Sequence, residues 1–92
     1  MSETKYLHVN SPDVVSETID GETVIINLYK GLYYNLNPVG SFIWTLIESG
    51  LSVEAIAQTL QTHYPHWSET EQASVRELCD RLLAEELVVA TT

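Results

Sequence analysis

The sequence predicts an α+β domain in which a three-stranded antiparallel sheet is followed by three helices. Three observations predict it. Short β-branched and aromatic runs from Val14 to Leu36 give way to apolar residues at helical spacing. Two tight-turn pairs, Asp20-Gly21 and Lys30-Gly31, divide the first part. Helix-starting residues, Asn37-Pro38, Ser52 and Ser68, divide the second.

Taken in order, Met1 to Pro12 is polar and irregular and reads as a flexible N-terminal arm, with the domain proper expected over residues 13–90. Val14 to Thr18 reads as a first strand. Asp20-Gly21 suits a two-residue hairpin, whose central positions need positive φ. Thr23 to Leu28 is β-branched and returns as the second strand. After Lys30-Gly31, Leu32 to Leu36 makes the third. Asn37 is a good N-cap, and Pro38 lacks an N–H that the first helical turn would leave unpaired. Val39, Phe42, Ile43, Leu46 and Ile47 form one helical stripe, which Gly50 closes. A second helix runs from Ser52, with Val53, Ile56, Ala57 and Leu60 on one face, and Pro65 bars it beyond Tyr64. Ser68-Glu69-Thr70-Glu71 is a capping box, and Val75, Leu78, Cys79, Leu82 and Leu83 repeat the apolar spacing behind it. Leu87-Val88-Val89 offers a short terminal strand. Three helices against a small sheet resemble a winged helix-turn-helix with its sheet moved to the front.

Composition narrows the function. The chain has 92 residues, room for one domain and one core. It carries four basic against thirteen acidic residues, a formal net charge of −9. Nucleic-acid binding needs a basic footprint to displace counterions from phosphates, and Lys5, Lys30, Arg76 and Arg81 do not supply one. Basic or neutral peptides and proteins are better partners. There is no apolar run of about 18 residues, so no membrane span is expected. Met1 to Asn10 has no apolar core of a signal peptide, and a single cysteine fits a reducing, cytoplasmic setting.

No catalytic constellation is legible. His63 and His66 are separated by Pro65, and Cys79 has no second thiol to join it, so no metal set is expected. Cys79 lies on the apolar stripe of the third helix, where a buried structural thiol is the plain reading. No serine sits in an elbow motif and no glycine-rich phosphate loop is present. The chain is expected to be no enzyme and to need no cofactor. Trp44 borders the stripe of the first helix, and Trp67 sits where a hydrophobic staple would precede the Ser68 cap. Both read as packing residues.

The stretch "KGLYYNLNPVGSFIW" resembles the PqqD-like family, in which a Gly-aromatic strand leads to Leu-Asn, then a glycine, then an aliphatic-Trp pair. Asp20-Gly21 before an aliphatic strand, "LSVEAIAQTL" and "VRELCDRLLAEELV" continue the resemblance over roughly Val14 to Val89. It implies a RiPP recognition element: a small non-catalytic domain that binds the leader segment of a ribosomally made precursor peptide and delivers it to a leader peptidase or another modifying enzyme. The leader adds as an extra strand beside the third strand, in the groove between it and the third helix. That places peptide contacts at Leu32, Tyr33, Tyr34 and Asn35 on the strand and at Val75, Leu78, Cys79 and Leu82 on the helix. Arg76 and Arg81 flank that stripe, and one of them would meet an acidic leader residue.

The Gly31-Leu32-Tyr33-Tyr34 form resembles the discrete leader-binding proteins of lasso peptide biosynthesis. The alternative within the family is a PqqD-type peptide chaperone for a radical-SAM enzyme, but its usual Pro-Glu-Arg stretch before Leu-Asn is missing here. A winged-helix nucleic-acid binder is the alternative from another class, and the charge stands against it. The residues themselves suit strand addition. Leu32 to Leu36 has neither the proline nor the charge that usually protects a sheet edge. Backbone groups then supply affinity and alternate side chains supply specificity. One of Tyr33 and Asn35 is expected to present its amide to the peptide.

Overall fold

The computed structural model describes residues 4–91. Eight elements follow one another: β1 (Tyr6–Val9), β2 (Val14–Ile19), β3 (Glu22–Asn27), β4 (Leu32–Leu36), α1 (Pro38–Glu48), α2 (Val53–His63), α3 (Glu69–Ala84) and β5 (Val88–Thr91). The α+β arrangement is as expected, with β2-β3-β4 as an antiparallel sheet and the three helices after it. Asp20 (φ 52°) and Gly21 (φ 79°) make the β2–β3 turn with positive φ at both central positions.

The expected arm is corrected by the structure. Tyr6–Val9 pairs antiparallel with β5 in a second, two-stranded sheet, from Tyr6↔Thr91 to Val9↔Val88. Leu7 is buried in the core. Four residues alternating with polar neighbours give too short a pattern to read, and the partner strand lies at the other end of the chain. The arm's residues 1–3 lie outside the described residues.

The helix starts follow the capping chemistry of the sequence. Asn37 accepts the Gly40 amide at 2.7 Å, and Ser52 accepts the Ala55 amide at 3.1 Å. At the start of α3, Ser68 and Glu71 satisfy each other's backbone amides, a complete capping box. Gly50 lies beyond the end of α1 with φ 87° and donates its amide to Ile47 at 3.0 Å.

The core lies between the inner face of the sheet and the helices. It is built from Val14, Ile25, Ile43, Trp44, Ile47, Ile56, Leu60, Val75, Leu82 and the Leu87-Val88 pair. Trp44 is wholly buried, and its indole N–H donates to Ser16 Oγ at 2.9 Å, which ties α1 to β2. The rest of the ring is then free to pack as hydrocarbon. Gly40 sits in a tight place where α1 leaves β4: a Cβ there would meet Asn37 Oδ1 at 3.1 Å, so the capping side chain would have to shift.

Candidate functional site

β4 is an edge strand, because the sheet order is β2-β3-β4. The register decides which of its backbone groups are free. In a two-residue hairpin the closing pair, here Ile19↔Glu22, exchanges both hydrogen bonds. Along β3, Glu22, Val24 and Ile26 therefore bond towards β2, and Thr23, Ile25 and Asn27 turn towards β4. Their partners in register are Leu36, Tyr34 and Leu32. Tyr33 and Asn35 then both turn N–H and C=O outward. This corrects the expectation that only one of them would: residues two apart in a strand point to the same edge. At the last rung Ser41 intervenes, accepting from the Thr23 amide at 2.8 Å and donating to the Leu36 carbonyl at 3.2 Å.

The open edge faces α3 across a groove. Its wide end is a cavity of about 400 Å³ between Asn35–Gly40, Trp67 and the Glu71–Arg81 face of α3. A narrower hollow of about 110 Å³ continues from it past Tyr34, Leu78, Arg81, Leu82 and Glu85. Two links close that narrow end. The Tyr34 hydroxyl donates to Glu85 Oε2 at 2.9 Å, and Lys30 Nζ lies 3.6 Å from Glu86 Oε1. The bond to Glu85 raises the Tyr34 pKa above its ordinary value, so the hydroxyl stays protonated as the donor. At the wide end the Ser68 amide holds the Glu71 carboxyl below the usual carboxylate range.

The residues expected to bind peptide divide in space. Tyr33 is 71% exposed on the outer face of the sheet, while the Tyr34 side chain turns inward and is half-buried. Leu32 and Asn35 are exposed. Val75 and Leu78 line the wide cavity, and Leu82 floors the narrow end. Cys79 does not join them. It lies on the other flank of α3, in a cleft of about 340 Å³ with Lys5, Leu7, Val53 and Arg76. One residue on a helix turns the side chain by about 100°, enough to move Cys79 away from the groove that Leu78 faces. Burial raises the pKa of its thiol. Of the two arginines, Arg81 is in the groove wall and Arg76 is in the other cleft.

The sequence marks Trp67 only as a packing residue, yet it forms part of the groove wall. Its position before a capping box marks it as a staple residue, but no local pattern shows which neighbouring surface its ring meets. Val39 and Ile43, which the spacing marks only as part of a helix stripe, also line the cavity together with Gly40.

Among the described residues there is no cluster of three or more His, Cys, Asp or Glu side chains able to hold a metal. No helix there is long and apolar enough to cross a membrane. His63 instead packs against Phe42 and Tyr64, with ring centroids 4.7 and 4.9 Å away.

Comparison with known proteins places the fold and the family. The solved structure "TbiB1 in Complex with the TbiA(beta) Leader Peptide" is similar to this one, with a TM-score of 0.79 and 34% sequence identity over 88% of this chain and 93% of that chain. No curated protein sequence matches the chain. Residues 22–88, spanning β3 to the start of β5, match the family described as "Coenzyme PQQ synthesis protein D (PqqD)", and the chain therefore belongs to the PqqD family.

Proposed function

We propose that this chain is a non-catalytic RiPP recognition element that binds the leader segment of a ribosomally made precursor peptide as a fourth strand on β4. The observation that carries this reading is the pair of outward backbone groups at Tyr33 and Asn35, set opposite an apolar helix face. A peptide strand laid there takes its hydrogen bonds from the edge, and every second side chain turns towards Leu78 and Leu82. The leader peptide bound by TbiB1, 34% identical to this chain, supports the same ligand class here.

The leader belongs to a lasso peptide precursor and is delivered to a separate leader peptidase. The Gly31-Leu32-Tyr33-Tyr34 stretch supports the first part. The outer face of the sheet supports the second. Val15, Ile26 and Tyr33 are cross-strand neighbours there and stay 43%, 40% and 71% exposed. That apolar row remains uncovered when the groove is filled, as a docking surface for an enzyme must. The match to the PqqD family keeps one other delivery target in view, a radical-SAM enzyme.

Backbone amide shift mapping during titration with the synthetic leader of the accompanying precursor tests the site. The largest changes are expected at Tyr33, Asn35 and the groove side of α3. Changes clustered elsewhere rule the groove out. The peptide mass must stay constant, since a cleaved or altered peptide contradicts the non-catalytic reading. A peptidase and an asparagine-synthetase-like cyclase encoded nearby identify the lasso class, and a radical-SAM neighbour identifies the other.

A further inference from the structure

Resting on the peptide-binding reading above, we propose that Glu85, at the narrow end of the groove, is a specificity-determining residue that selects a lysine or arginine of the bound peptide and so fixes the peptide's register on β4. Strand addition needs such a device. Backbone bonds to Tyr33 and Asn35 form equally well when the peptide slides by two residues, so side chains must choose the register.

Three observations carry the assignment. First, the Glu85 carboxylate is held in place, because its Oε2 accepts from the Tyr34 hydroxyl at 2.9 Å. A group fixed in this way loses little freedom when a ligand meets it. Second, its charge is uncompensated. Among the described residues Lys30–Glu86 is the one ion pair, so Glu85 has no cation of its own within bonding reach. The chain as a whole, at −9, attracts cations. Third, the strand geometry brings a peptide side chain there. Tyr34 turns inward to line the narrow hollow with Glu85, and the side chain of an added strand level with Tyr34 turns to the same face. A lysine or arginine at that level runs beside the tyrosine ring, about 5 Å away, and delivers its charge to the carboxylate that the hydroxyl already touches. Arg81 makes the choice of register sharp. It lies one turn before Glu85 on α3, about 6 Å along the axis, in the wall of both the narrow hollow and the wide cavity. A two-residue slide moves the peptide by about 7 Å. Sliding towards the wide end therefore takes the cation off Glu85 and brings it to Arg81, where like charges repel.

The test is selection of a random library of roughly 12-residue peptides, long enough to span the edge, on the whole chain. Peptides that shift the Tyr33 and Asn35 amides are kept. They are expected to share a lysine or arginine at one register position. In a synthetic copy of one such peptide, changing that residue to glutamate should cost about tenfold in affinity for the parent chain. Glu85→Gln keeps an acceptor for Tyr34 and removes the charge, so it should shrink that preference to about threefold or less. Glu85→Lys should invert the preference, so that the glutamate peptide binds more tightly than the original. Glu77→Lys changes the net charge equally from an exposed position on α3 outside the groove lining, and should leave the preference as in the parent. Thermal melts of each variant show that the fold is intact. If the selected peptides share no cation, if the preference survives Glu85→Lys, or if Glu77→Lys shifts it as far, Glu85 does not select the peptide while the strand-addition reading stands. If no selected peptide moves the Tyr33 and Asn35 amides, both readings fall together.

Discussion

Two hollows of similar size flank α3, and only one of them has an open strand edge beside it. The groove towards β4 has a cavity of about 400 Å³ and the cleft towards β1 and α2 has about 340 Å³. The difference lies in the backbone. Beside the cleft, β1 is paired with β5, and the Lys5 carbonyl accepts the Val53 amide at 2.9 Å. Beside the groove, Tyr33 and Asn35 keep their hydrogen-bonding groups turned away from β3. The side chains differ as well. The cleft mixes Lys5, Glu54, Arg76 and Asp80 around a buried Cys79, whereas the groove is apolar in its middle and is closed at its narrow end by the Tyr34–Glu85 hydrogen bond. Volume alone does not mark a peptide site. Free backbone valence beside an apolar wall does.

The largest expected effect bears on stability beneath the groove. Leu82→Ala removes a buried side chain and is expected to cost about 2–5 kcal/mol of unfolding free energy, measured by denaturant titration. A loss of peptide affinity without that destabilisation would mean that Leu82 contacts peptide more than core.

The sharpest test of the comparison itself is Asn35→Pro. It removes an amide that faces the groove and no bond to β3, so the fold should melt nearly as before. Peptide affinity, read by fluorescence anisotropy, should fall by roughly 1–3 kcal/mol, because an acceptor on the peptide is left unpaired. Unchanged affinity would remove the edge from the site.

A smaller effect concerns the start of α3, which carries the wall shared by both hollows. Ser68→Ala should destabilise the chain by about 1 kcal/mol in thermal or chemical melts. Its partner Glu71 has a pKa depressed by the Ser68 amide. A carboxyl depressed on folding contributes stability that is present above its unfolded pKa and is lost as pH falls through the folded value. Stability should therefore drop on acidification below the ordinary carboxylate range, and Glu71→Gln should flatten that part of the profile.

The smallest effect separates the two arginines. Arg81→Ala in the groove wall should lower peptide affinity by roughly 0–1 kcal/mol, the worth of an exposed ion pair. Arg76→Ala in the cleft should leave it unchanged. A larger effect at Arg76 would move the site to the other side of α3.

Much of the scaffold was legible in the sequence because its signals are local. Asp20-Gly21 specifies a hairpin by its need for positive φ, Asn37-Pro38 specifies a helix start by amide valence, and Ser68 to Glu71 closes its own box. The unprotected strand from Leu32 to Leu36 could be named an edge from composition alone, and the apolar stripe of α3 from its spacing. Neither signal says which flank of the stripe meets the strand, so Leu78 and Cys79 looked equivalent until the packing of α3 separated them.

Local signals along the chain therefore set the order and type of the elements from β2 to α3, the lack of a basic footprint, and the residue types at the edge. Tertiary structure alone decided that Tyr6–Val9 is a strand, because its partner Val88–Thr91 lies at the opposite end of the chain. It decided that Trp67 walls the groove, because that depends on how the loop between α2 and α3 returns to the start of α1. It also decided that Tyr33 and Asn35 share one free edge. The hairpin register passes from β2 through β3 to β4, and hydrogen-bond parity is a property of the paired strands together.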